Sequence, residues 1–170
     1  LVYGNHDSIP DSTTENEQEY LNKSTVYQII NNYNPYQSSE KHYYAYSPAK
    51  DFRVILLDTT NGYEHQSNGF LNDEQLQFLD NEINNNQEKV ILIFQHHPVI
   101  EPFKSADHKL LNAAAYQEVL AKYKHTPIAI FSGHYHCSRI IRKGNVIHIS
   151  SPSLVTYPNA YRTVVVSNYR

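Results

Sequence analysis

Apolar and polar positions follow two different periods along this 170-residue chain, and the switches between them mark out its elements. Short apolar runs bounded by polar or turn residues read as strands: Leu1-Val2-Tyr3, Tyr43 to Ser47, Phe52 to Asp58, Lys89 to Phe94 and Ile128 to Phe131. The second and third, joined by Pro48-Ala49-Lys50-Asp51, are apolar on both faces, as in strands buried between layers. Leu71 to Asn84 predicts a helix, with Leu76, Leu79 and Ile83 on one face, Asn72 as cap, Gln75 three residues on, and Leu71 placed to staple onto Leu76. Asp107 to Lys122 predicts another, facing inward with Leu110, Leu111, Ala114, Ala115 and Val119. A weaker stripe of Leu21, Val26, Ile29, Ile30 and Tyr33 runs through 8–35, where Ser12 and Glu15 have the spacing of a capping box. Gly62 to Phe70, with His65, reads as a polar loop. Beyond Cys137 only short strands follow: Arg139 to Arg142, a turn at Lys143-Gly144-Asn145, Val146 to Ser150, and Arg162 to Ser167.

Strands alternating with helices, followed by a run of strands, predict an α/β domain with two packed sheets and helices outside, and no internal repeat. The length suits one domain with a sizeable core. A hydrophobic fraction of 40% and a charged fraction of 18% are those of a soluble globular protein. The net charge of -3 with unclustered Lys and Arg argues against a nucleic-acid backbone as partner. No run approaches the length of a membrane helix. Cys137 cannot form an internal disulfide and reads as a small filler rather than a ligand. The cytoplasm is the favoured compartment, and oligomeric state does not follow from the sequence.

Candidate chemistry collects at the ends of three apolar runs. Gly4-Asn5-His6-Asp7 follows Leu1-Val2-Tyr3, Gln95-His96-His97-Pro98 follows Val90 to Phe94, and Gly133-His134-Tyr135-His136 follows Ile128 to Phe131. Together they hold 5 of the 10 histidines at the position where α/β sheets place their ligands. His134 and His136, at i and i+2 of an extended segment, would point the same way, suiting two metal ions about 3.5–4 Å apart. Gly133 is expected to supply positive φ or close backbone approach. Pro98 restricts His97 to extended backbone, and His97 reads as a support for the ligands around it. His42, His65, His108, His125 and His148 lack such a context and read as structural or solvated.

GNHD, then HHP after a buried strand, then GHYH resembles, in that order, the second half of the calcineurin-like metallophosphoesterase signature. The spacers Tyr43 to Ser47, Phe52 to Thr59, Asn72 to Leu76 and Ser151-Pro152-Ser153 are similar to the bacterial branch that includes class III cyclic nucleotide phosphodiesterases. The resemblance implies a four-layer α/β/β/α sandwich and a binuclear phosphohydrolase, a phosphodiesterase acting on a small-molecule phosphate ester through a hydroxide bridging the metals. Asn5, His96 and His134 would bind one ion and His136 the other; His6 would be the general acid, oriented by Asp7. The ions would be two divalent or trivalent metals, Mn, Fe or Zn, with no basis for choosing among them. The loop 151–159 would lie near the substrate cleft. The family's DxH and GDxxD patterns are not among these residues, so the chain is expected to be the last two thirds of a catalytic domain, inactive alone. The alternative is a noncatalytic binding or structural module with half of a metal site.

Overall fold

In a computed structural model, which describes residues 2–7, 22–36, 41–60 and 67–167, six strands form one mixed sheet. In chain order the elements are α1 (Lys23–Asn32), β1 (Tyr44–Tyr46), β2 (Phe52–Leu56), α2 (Asp73–Asn84), β3 (Val90–Phe94), α3 (Ala113–Ala121), β4 (Ile128–Ser132), β5 (Arg139–Lys143) and β6 (Val146–Ser150). The strand order is β1-β2-β3-β4-β6-β5; the four central strands are parallel, with β1 and β5 antiparallel at the edges. Each crossover from β2 to β3 and from β3 to β4 carries a helix, and both helices cover the same face. There Ile55, Ile91, Ile93, Ile128 and Ile130 pack with Leu79, Ile83, Tyr116 and Leu120. Burying an aliphatic side chain contributes roughly 1.5–3 kcal/mol, so this layer is the main source of cohesion. Of the layers expected, the described residues build one sheet and its helical cover.

The opposite face carries Tyr44, Val54 and Leu56, with Val2, Leu92 and Phe94 packed against them. α1 stands over its β1 edge, leaving a cleft of about 660 Å³. The segment predicted as a last strand, Arg162 to Ser167, forms no ladder. It runs over this face with Arg162, Val164 and Val166 lining a cleft that includes Phe94 and Phe131, while Val165 is 84% exposed. Its alternation is that of a strand, but among the described residues no strand pairs with it, and Arg162 Nη2 donates instead to Ser138 Oγ.

Two helices differ from their predicted form for tertiary reasons. Before α3, Gly69 N–H donates to Lys109 O and Leu111 N–H to Gly69 O, a short bridge that competes with helix. Asn112 then spends its side chain on Leu71, accepting from its N–H and donating to its C=O, instead of capping. α3 therefore starts at Ala113, Leu111 and Ala114 are exposed rather than inward, and the buried face is Tyr116 and Leu120. At α2, Asn72 Oδ1 caps by accepting from Gln75 N–H. The Gln75 side chain closes no capping box; it accepts from Asp58 N–H and donates to Asp58 O, fastening α2 to the end of β2. α1 begins at Lys23 with Asn22 as cap, and the proposed capping box at Ser12 and Glu15, like Leu21 and His65, lies outside the described residues. The two-residue turn between β5 and β6 has Gly144 at φ 64, first in the turn as a II′ hairpin demands.

Candidate metal centre

The pairing of β3 with β4 continues past their ends: Gln95 N–H donates to Phe131 O and Gly133 N–H to His96 O, at 3.1 and 3.0 Å. That register sets His96 beside His134. Alongside, Asp7 Oδ2 accepts from Gly4 N–H at 2.7 Å and closes the turn that presents Asn5. The result is a convergence of three side chains: His96 Nε2 lies 2.8 Å from Asn5 Oδ1 and 3.0 Å from His134 Nδ1.

One ring nitrogen carries at most one proton, so His96 Nε2 cannot make a full hydrogen bond to both neighbours. A metal ion removes the conflict. Ligands side by side around an ion with bonds of about 2.0–2.1 Å sit about 3 Å apart, the spacing seen here. Burial, then the nearness of His6 and His136, pushes His96 down to about 4; burial and then His96 lower His134 to about 4. Both imidazoles are neutral and have a lone pair to give. The donor set, two imidazoles and an amide oxygen without thiolate, suits a first-row transition metal.

His97 is fully buried against both partners, its ring centroid 4.9 Å from His96 and 4.3 Å from His134. Its ligand atom lies within 4.8 Å of theirs. Thr59 pins it twice: Thr59 Oγ1 accepts from His97 N–H at 3.1 Å and meets its Nδ1 at 2.9 Å. The Nε2 atoms of His97 and His134 are buried, and the backbone of Ser67 is a polar group beside both rings. From the helical side, Tyr116 OH donates to Gln95 Oε1, and Gln95 Nε2 to His97 O.

His134 and His136 do not lie on extended backbone. β4 ends at Ser132, and both residues are left-handed, at φ 67 and 49. Tyr135 N–H donates to Gly133 O at 2.8 Å, which makes His134 the centre of a γ-turn of the strained, positive-φ kind. Such conformations cost on the order of 1–3 kcal/mol and gather at functional sites. Gly133 itself is not at positive φ; the strain falls on the histidines. His136 is exposed, and its nearness is a lesser cause of the lowering at His96 and His134. His6 and Asp7 are exposed, and Asp7 Oδ2 accepts from Gly4 N–H.

Beside the cluster, at the end of β2, Asp58 is 3% exposed. Burial alone would raise its carboxyl pKa, but the hydrogen bond with His42 and the charge of Lys23, 2.7 Å away, outweigh that and hold it well below the usual carboxylate range. The stability this pair contributes is present above the ordinary carboxylate pKa and lost as pH falls below it.

The glycines that matter for close approach are Gly4 and Gly69. A Cβ on Gly4 would meet the His96 ring at 3.0 Å; one on Gly69 would stand 2.4 Å from His97 Cγ. Replacing Gly69 with alanine is expected to destabilise the fold by roughly 1–3 kcal/mol, the range for overpacking. A Gly→Ala change gains about 0.4–1 kcal/mol from a stiffer unfolded chain, less than the clash costs against a ring pinned by Thr59. Denaturant unfolding reads the result as a lower midpoint at unchanged slope, and an unaltered midpoint would show that His97 can move.

The family model for calcineurin-like phosphoesterases matches residues 1–138. Among solved structures, a dimetal phosphatase from Danio rerio superposes with a TM-score of 0.55 at 22% identity, over 71% of this chain and 52% of its own. A structure of PhoD superposes with a TM-score of 0.61 at 14% identity, over 88% of this chain and 37% of its own. At these identities the likeness is one of fold, and the chain spans about half and just over a third of the length of those neighbours. No curated protein matches the chain.

Proposed function

Because the chain belongs to the calcineurin-like phosphoesterase family, we propose that Asn5, His96 and His134 hold a metal ion and that the chain serves phosphate ester hydrolysis, with phosphodiesters as substrates. The observation that carries this reading is the meeting of Asn5 Oδ1, His96 Nε2 and His134 Nδ1 at 2.8–3.0 Å. Bound metal would supply water activation and charge neutralisation on the phosphoryl oxygens. The protein's own residues do the rest. The strained turn at His134 and the ladder bond from Gly133 fix the ligands before metal arrives. Thr59, Gly69 and Gln95 hold His97 as a rigid wall behind them. His6, which is exposed, would give a proton to the leaving alkoxide, with the Gly4–Asp7 turn fixing its backbone. The Danio rerio neighbour is a dimetal phosphatase, which accords with a second ion, to which His136 would contribute; the resemblance to class III phosphodiesterases favours diesters over monoesters.

A count of ligands sets the test. Among the described residues the first ion has three and the second has His136 alone, too few to compete with water. The 170-residue chain is therefore expected to bind one Mn ion weakly in equilibrium dialysis, and to hydrolyse bis-p-nitrophenyl phosphate at background rate. A segment bearing DxH and GDxxD, supplied in cis or as a separate chain, should restore a second ion and turnover. Metal-dependent hydrolysis by the 170 residues alone would show that the ligand count is wrong, and no metal binding in either form would sink the proposal.

A further inference from the structure

One histidine outside the three clusters stands at the site, on the segment 101–112 between β3 and α3. The His108 ring centroid is 5.3 Å from that of His134 and 6.2 Å from that of Tyr135. The segment is fastened along its length. Glu101 Oε2 accepts from Ser105 N–H and from Tyr135 OH, the latter inside the GHYH motif. Arg139 Nη1 donates to Pro102 O, and at the other end Lys109 N–H donates to Asn68 Oδ1. Phe103 stacks edge-on against Tyr135 at 5.0 Å. A segment held at so many points presents its side chains in fixed positions.

His108 is held individually as well. Ser105 Oγ lies 2.9 Å from His108 Nδ1. With the Ser105 hydroxyl donating, the imidazole proton resides on Nε2, across the ring from that contact. The ring is exposed, so Nε2 is open to an incoming group. It is not one of the three histidines whose ligand atoms lie within 4.8 Å of one another, so it stands one layer out from the ion's place. A group bound beside His134 would come near this ring, whose centroid is 5.3 Å from that of His134.

We infer that His108 is a phosphate-contacting residue: its Nε2–H donates to a non-bridging phosphoryl oxygen of the substrate, with Ser105 as the positioning residue that sets the ring. This rests on the phosphohydrolase reading above and deepens it by adding a second recognition group, on a different wall from His6. It also makes phosphoryl binding, rather than leaving-group departure, the step that His108 serves.

The test uses the Mn-loaded protein with the segment bearing DxH and GDxxD supplied, and inorganic phosphate as probe, measured by calorimetry, with Mn content and steady-state kinetics alongside. H108A is expected to keep its Mn content, to weaken phosphate binding by about 10- to 100-fold, the range for one hydrogen bond to a charged partner, and to lower kcat/KM to match. H108Q, which can still present an N–H, should recover part of the loss; S105A, which frees the ring without removing it, should lose about threefold, a small share of the same range. Phosphate affinity within twofold of the parent in both H108A and S105A would overturn the inference, even if hydrolysis and its dependence on His134 stand. Should the parent bind phosphate without hydrolysing esters, the hydrolase reading fails and the binding data on H108A still decide the role of His108. A parent that binds no phosphate overturns both.

Discussion

Replacement of His134 by alanine is expected to empty the metal centre and to reduce hydrolysis by the active protein to background. Its Nδ1 is one corner of the three-atom convergence, and no other described side chain is placed to fill it, since His97 is fully buried and tied to Thr59 by both its backbone N–H and its Nδ1. Removing an outer partner of a ligand costs 10- to 100-fold in metal affinity, so loss of a ligand itself should exceed about 100-fold. The substitution should do this without unfolding the chain. It removes an imidazole from a half-buried position, one whose pKa burial and then the nearness of His96 lower. Alanine is no better suited to φ 67 than histidine, so the turn's strain stays and the global stability should fall by no more than about 1–3 kcal/mol, as surface and half-buried changes do. Elemental analysis of the purified variant separates the outcomes: full metal content with lost turnover would move His134 from ligand to catalytic support.

What could be read from the sequence was where chemistry would collect, because apolar runs are visible and α/β sheets place ligands at the ends of their strands. The three clusters stand out on that ground, the choice of Asn5, His96 and His134 within them follows from the family resemblance, and the structure brings Asn5 Oδ1, His96 Nε2 and His134 Nδ1 within 2.8–3.0 Å steps of one another. The geometry by which it does so was not legible. An HxH pair after a strand suggested continued extension, yet the ladder ends at Ser132 and the histidines turn through left-handed backbone. Nothing in the local sequence marks a γ-turn centred on a residue other than glycine. Thr59 and Gly69 were missed because their importance is nonlocal: each acts on His97 from 38 and 28 positions away, and only the fold makes them neighbours. The scarcity of glycine, 5 in the chain, was a usable signal, but it was spent on Gly133, where a Cβ would meet the nearest His96 atom at an ordinary 3.8 Å. His108 was set aside for want of a motif. Its Ser105 partner lies three residues earlier, a spacing that polar loops show by chance.

Secondary structure failed where tertiary bonds outbid propensity. The stretch 107–112 has a helical pattern, but Asn112 and the bridge of Gly69 with Leu110 take its backbone and side-chain bonds elsewhere. The same contacts carry the segment 101–112 across the metal centre instead of against the helical core. A helix begun at Asp107 would have wound His108 into its first turn. The delayed start of α3 thus leaves His108 outside the helix, its ring centroid 5.3 Å from that of His134.

Substitution of His6 by alanine or asparagine is the second large effect, and it should differ in kind. His6 is exposed and lies outside the convergence, so metal content should stay near that of the parent while kcat falls by roughly 100- to 10,000-fold, the contribution of a positioned general acid. The size of the loss should depend on the leaving group. An alkoxide needs a proton to depart, whereas p-nitrophenolate is stable without one, so His6→Ala should impair an alkyl diester far more than bis-p-nitrophenyl phosphate. The contrast separates His6 from His108, whose loss weakens phosphoryl binding and should impair both substrates alike. Steady-state kinetics of the two variants on the two substrates therefore form a small matrix with one selective row and one uniform row. If His6→Ala slows both esters equally, its role is phosphate binding rather than proton donation, and the exposed rim holds two binders and no acid.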